Sequence, residues 1–185
     1  MRLAAAMLAA AALVTPIAAN SVKPRLFVLT DIGNEPDDQM SLVRLLLYSN
    51  EIEIEGITAT TSVWQRSRTS PEIAAGVIDA YGEVLPNLRL HADGWPDAAG
   101  LRARLTSGVA GYGLAAIDPA KPSSGAGALL TAAQRDTGEP LWIAAWGGTA
   151  TLAEALMLAR RTMPADQLAA VISRLRVYSI SDQDD

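Results

Sequence analysis

Between Leu29 and Ser41 the chain reads LTDIGNEPDDQMS and sets four carboxylates, Asp31, Glu35, Asp37 and Asp38, in quick succession. Like charges packed this closely repel unless a cation or sugar hydroxyls take up the space between them. An all-oxygen donor set suits calcium, whereas a chain with no cysteine and a single histidine offers little to zinc. A carboxylate beside a divalent cation can take the proton of an attacking water, and an anionic cluster stabilises an oxocarbenium-like sugar. Cleavage of an N-glycosyl bond is therefore chemistry these residues could perform, with Asp31 as the candidate base and Asp38 as the main metal ligand. Asn34 and Glu35 could bind a glycosyl hydroxyl or serve only the turn. The plainer alternative is that Asp31 ends a strand while Asp37 and Asp38 cap a helix, although a cap needs only one acid.

These residues need elements that hold them in place. LFVLTD (26–31) reads as a strand, and a helix is expected from Asp37 to Tyr48, with Met40, Val43, Leu46 and Leu47 at helical spacing. IEIEGITATT (52–61) is the next strand. Pro71 opens a helix running through Ile73, Val77, Ile78 and Tyr81 to about Val84. LRLHAD (88–93) is predicted as a short third strand, and residues 94–113 as mixed loop and helix. A helix follows 121–129 and ends near Arg135. PLWIAAW (140–146) is the most apolar strand, GGTATLAEALMLARR a helix, and LRVYSI (175–180) the last strand. Such alternation predicts an α/β fold, a mostly parallel sheet with helices on both faces.

Open sheets of this kind bind ligands beyond the carboxyl ends of their strands. Those ends carry DIGNEPDD, TTSVW, HADGWP, WGGTAT and SDQDD, and they are expected to converge on one rim. Trp64, Trp95 and Trp146 follow strands and could offer aromatic faces to sugar rings, or could simply fill volume. His91 reads first as a structural residue. Asp182, Asp184 and Asp185 could line the pocket or be solvated.

The chain is 185 residues long with a net charge of −5, and it lacks a basic stripe, which argues against a nucleic-acid polymer as partner. Its first residues, MRLAAAMLAAAALVTPIAAN, have the pattern of a secretory signal peptide covering 1–19, cleaved after Ala19. The run from Leu3 to Val14 is far shorter than the roughly 20 apolar residues that span a bilayer. A secreted or periplasmic protein without disulfides is expected, as one domain from residue 23 to 185.

In sequence, LTDIGNEPDDQMSL, GITATTSVW, HADGWP, WGGTATLAEAL and LRVYSISDQDD occur in that order, and the mature chain resembles the nucleoside-hydrolase-like domain of secreted bacterial proteins often labelled cellulose-binding. That domain is similar to the inosine/uridine-preferring nucleoside hydrolases, which hold calcium in an aspartate cluster opened by D-x-D-P-G-x-D-D. The resemblance implies a nucleoside hydrolase-like fold, calcium as cofactor, and a small glycoside or polysaccharide as partner. It implies metal ligation by Asp31, Asp38 and the backbone carbonyl of Ala150, and sugar contact by Asp37; Asn34, Glu35 and Trp64 stay candidate sugar contacts on their own residue types and positions. Leu29 stands where the family has its first aspartate, and the loop is two residues longer. A second register therefore sets Asp31 on the first aspartate and leaves Asn34 or Glu35 to supply the second. Thr60, Thr61 and Ser62 lie where the family places a ribose-contacting asparagine. The family's remaining metal aspartate is expected after residue 185, so that the chain is the N-terminal part of such a domain.

Two functions follow. One is a secreted, calcium-dependent hydrolase of N-glycosyl or related glycosyl bonds; the other is a carbohydrate-binding protein that uses the same scaffold without catalysis. A magnesium phosphotransferase is a weaker third, for want of a Gly-rich phosphate loop with a nearby lysine.

Overall fold

The computed structural model describes residues 22–180; the expected leader and Asp182, Asp184 and Asp185 lie outside them. Its sheet has five strands, all parallel: β1 (Arg25–Thr30), β2 (Glu53–Ala59), β3 (Leu105–Ser107), β4 (Leu141–Ala145) and β5 (Leu175–Ser179), in the order β3-β2-β1-β4-β5. β1 is central and reads as an unbroken apolar run because both of its faces are covered. Phe27 and Leu29 point to one core, shared with Ala126, Leu129, Ile143 and Ala155 from α4 (Ser124–Gln134), β4 and α5 (Ala150–Thr162). Val28 points to the other, shared with Leu42, Ile57 and Ile78 from α1 (Pro36–Leu46), β2 and α2 (Pro71–Leu88). Gly56 is required where it stands, since a Cβ there would run into the Phe27 ring. Two short helices, α3 (Ala98–Ala103) and α6 (Ala165–Ser173), complete the layers. None of the helices described is long and apolar enough to cross a membrane.

Three readings of the sequence are corrected. LRLHAD is not a strand: Leu88 ends α2 and the following residues turn, leaving Leu90 and His91 exposed. The third strand is the three-residue β3, and Pro86 lies inside α2 rather than beyond its end. On α1 the buried apolar residues are Leu42, Leu45 and Leu46, while Met40, Val43 and Leu47 are exposed. The amphipathic stripe is thus rotated, because the helix docks through the face that carries Asp38. α6 was not read as a helix at all.

The order 3-2-1-4-5 reverses at β1. Chain leaves β1 toward α1 on one face and leaves β4 toward α5 on the other, which opens a crevice beyond the carboxyl ends of these two neighbouring strands.

Candidate functional site

Asp31 is the first residue past β1, and Asp38 lies in the first turn of α1. Pro36 at the helix start presets the backbone angle and sacrifices no needed donor. The cap position belongs to Glu35, whose side chain makes no capping bond. Asp38 turns inward instead: the Thr30 hydroxyl donates to its Oδ2, and the backbone amide of Ile32 donates to the same hydroxyl at 3.1 Å. Simple helix capping therefore does not explain this acid.

Asp31 is fixed from the β2 side. The Ser62 hydroxyl donates to Asp31 Oδ2 at 2.5 Å, and Gln65 Nε2 donates to the Asp31 carbonyl at 3.2 Å. Ser62 and Gln65 close their own turn by reciprocal backbone bonds of 3.2 Å, and the amides of Trp64 and Gln65 both reach the Ser62 hydroxyl. The opposite oxygen, Asp31 Oδ1, lies against Gly147 at the end of β4, where a Cβ would come within 2.6 Å of it. Glycine is needed there so that the strand end can pass over the carboxylate.

Both carboxylates are buried, Asp31 at 7% exposure and Asp38 at 6%. They face each other closely enough to share a hydrogen bond. Asp38 is pushed up from 3.8 to about 7, first by desolvation; the Thr30 bond opposes this, and the neighbouring charges of Asp31 and Asp37 add to it. Two buried acids in contact need a proton or a cation between them, and with Thr30 and Ser62 each occupying one oxygen, the others are available as hard oxygen donors. Among the described residues no group of three His, Cys, Asp or Glu side chains is placed to hold a metal ion.

Around this pair, Asn34 and Glu35 are exposed on the loop and Asp37 on the first turn of α1, and Trp64 is 71% exposed on the β2 side. Ala150 is buried as the first residue of α5, where helical bonding has already begun with the Thr149 carbonyl accepting from Ala153 at 3.1 Å. Thr60 and Thr61 are buried with Ser62; Thr61 Oγ1 donates to the Gly111 carbonyl at 2.9 Å, and the Thr60 hydroxyl finds no partner. HADGWP does not join this rim. Trp95 packs on the α1/α2-side core and lines a groove with Lys23, Ile52 and Glu53 at the amino ends of β1 and β2, and Trp146 packs into the same core beneath α1 and α2. Of Trp64, Trp95 and Trp146, only Trp64 offers its face at the rim.

The sequence reading missed Thr30, Gln65 and Gly147. Thr30 directly precedes Asp31 and Gln65 directly follows Trp64, so their positions were the available signal; the need for Gly147 appears only when β4 is set beside β1.

The profile of the family described as "Cellulose-binding Sde182, nucleoside hydrolase-like domain" matches residues 25–185. A solved structure, described as a nucleoside hydrolase-related hypothetical protein from Saccharophagus degradans that is associated with carbohydrate metabolism, is 38% identical. It superposes with a TM-score of 0.85 over 88% of this chain and 40% of that one. The chain thus spans less than half the length of that relative. No curated protein matches.

Proposed function

We propose that this chain, which belongs to the cellulose-binding Sde182, nucleoside hydrolase-like family, supplies the calcium- and sugar-binding part of a site that hydrolyses N-glycosyl or related glycosyl bonds. The observation that carries this reading is the Asp31/Asp38 pair: two buried carboxylates held against each other by Thr30 and Ser62, beneath the crevice between β1 and β4. Calcium, when bound, would draw in sugar hydroxyls and acidify the attacking water. Asp38 and Asp31 would hold it, with the Ala150 carbonyl as the further oxygen ligand that the family resemblance implies. Asp31 accepts the water proton on its Oδ1, the oxygen against Gly147, while Ser62 keeps the carboxylate from rotating and Gln65 holds the backbone beneath it. The negative charge of the pair favours positive charge developing on the sugar ring. Asp37, Asn34 and Glu35 lie outermost and would bind sugar hydroxyls, with the ring stacked on Trp64.

A second reading, carbohydrate binding without turnover, is favoured by Ser62. Its hydroxyl occupies Asp31 Oδ2 at 2.5 Å, which leaves a single carboxylate oxygen to meet both a metal ion and a water. The proposal includes export after cleavage near Asn20, which mass spectrometry of the secreted protein would read directly.

Calcium titration followed by thermal unfolding tests the metal. Wild type should melt at higher temperature with calcium, and Asp38→Asn should lose most of that rise, because a ligand bound only to the folded state stabilises by mass action. Equal calcium responses in the two proteins would sink the metal assignment. A panel of nucleosides and aryl glycosides, run beside a cellulose pull-down, then separates the readings. Asp31→Asn should abolish turnover and largely keep sugar binding. Retention on cellulose with no turnover in wild type would establish the binder.

A further inference from the structure

On the β2 side of the Asp31 rim, Gly33, Asn34, Trp64, Gln65, Arg66 and Arg68 line a groove of about 210 Å³. No carboxylate lines it, although four acids stand between the end of β1 and the first turn of α1. Both arginines are exposed, and neither pairs with an acid among the described residues. Each is nonetheless oriented. Arg66 donates through Nε to the Val63 carbonyl at 2.9 Å and lies 4.7 Å from the centre of the Tyr112 ring. Arg68 donates through Nε to Gln65 Oε1 at 3.3 Å, and its Nη2 reaches the Gly33 carbonyl at 3.5 Å. Gln65 in turn holds Asp31, so the groove and the carboxylate pair are two sides of one turn.

Guanidinium groups held by backbone carbonyls and an aromatic ring, with donors left over and no internal counter-ion, are suited to a carboxylate, which their planar fork can grip in two places. An exposed indole beside them suits the apolar face of a sugar ring. We propose that this groove is a subsite for an acidic sugar, with the ring on Trp64 and the carboxylate of a uronic acid residue on Arg66 and Arg68. The chain would then select a uronate-bearing glycan over a neutral one. This inference rests on the reading of the Asp31 rim as a glycosyl-binding site.

Affinity electrophoresis of the full chain through gels holding polygalacturonate, hydroxyethylcellulose or dextran sulfate tests it, with chelator present so that calcium cannot bridge the polymer. Wild type should be retarded most by polygalacturonate. The double variant Arg66→Gln/Arg68→Gln should bind that polymer about tenfold more weakly, the loss expected for one or two charge-assisted bonds, with hydroxyethylcellulose retardation unchanged. Trp64→Ala should weaken binding to both glycans. Equal retardation by dextran sulfate would show mere anion exchange and overturn the proposal, as would a double variant that binds polygalacturonate like wild type. Should calcium fail to bind at Asp31/Asp38 while uronate selectivity persists, the metal-dependent reading falls and the subsite stands.

Discussion

Strand β1 ends in charge on both sides, and the two ends are built on opposite principles. At the amino end Arg25 is 2% exposed, with Nε on Glu55 Oε1 at 2.5 Å and Nη2 on the Ala132 carbonyl at 2.7 Å. A register shift skips Glu55 where β1 pairs with β2, and Arg135 grips its other oxygen. Every charge there has an opposite. At the carboxyl end two acids of the same sign are pressed together, with only neutral hydroxyls as donors. Buried unlike charges lock a structure, whereas buried like charges hold a free-energy cost that a ligand can relieve. Within one six-residue strand, one end is closed and the other is open for chemistry.

The contrast breaks most visibly at Arg25. Arg25→Ala strands the carboxylate of Glu55 in the interior with a half-exposed partner, and should cost about 3–5 kcal/mol in urea unfolding. A loss below about 1 kcal/mol would mean the closed end is not closed.

Proton linkage sharpens the other end. Asp38 is raised from 3.8 to about 7, so in chelator the folded chain keeps a proton that the unfolded chain has released between those values. The stability this contributes is full below pH 3.8 and disappears as pH rises through about 7, a change on the order of 1 kcal/mol or more. Melting temperature should therefore fall across that window, and Asp38→Asn should flatten the slope. A wild-type profile that climbs instead would contradict the like-charge description.

The smallest effect is expected from Arg135→Ala. Its guanidinium is 46% exposed, so loss of its bonds to Glu53 and Glu55 should cost only about 0.2–1 kcal/mol, and salt should shrink that further.

Much of this was legible in the sequence. The apolar run before Asp31, the proline before Asp37 and the Gly-Gly after Trp146 mark strand ends and helix starts through local rules, and the parallel sheet follows from their alternation. Local rules failed where tertiary contacts decide. Leu88 and Leu90 alternate with polar residues like a strand, but Leu88 ends α2 and Leu90 sits in the turn after it, and β3 is too short to show any period. With that error went HADGWP, assigned to the rim but found near the opposite end of the sheet. Inward rotation of Asp38 toward Thr30 was hidden for a related reason: a helix's apolar period does not announce that a carboxylate will share its buried face.

The placement of β1 also bears on how the molecule is made. The strand emerges first, yet its second neighbour, β4, lies far along the chain, and the pair closes a long loop before Gly147 can seat over Asp31. Such non-local parallel pairing forms slowly. During synthesis β1, α1, β2 and α2 can assemble early while Phe27 and Leu29 wait with one face bare, a stretch in which a chaperone or a misplaced strand can compete for them. Gly147 can thus cover the Asp31 carboxylate only once β4 has paired with β1.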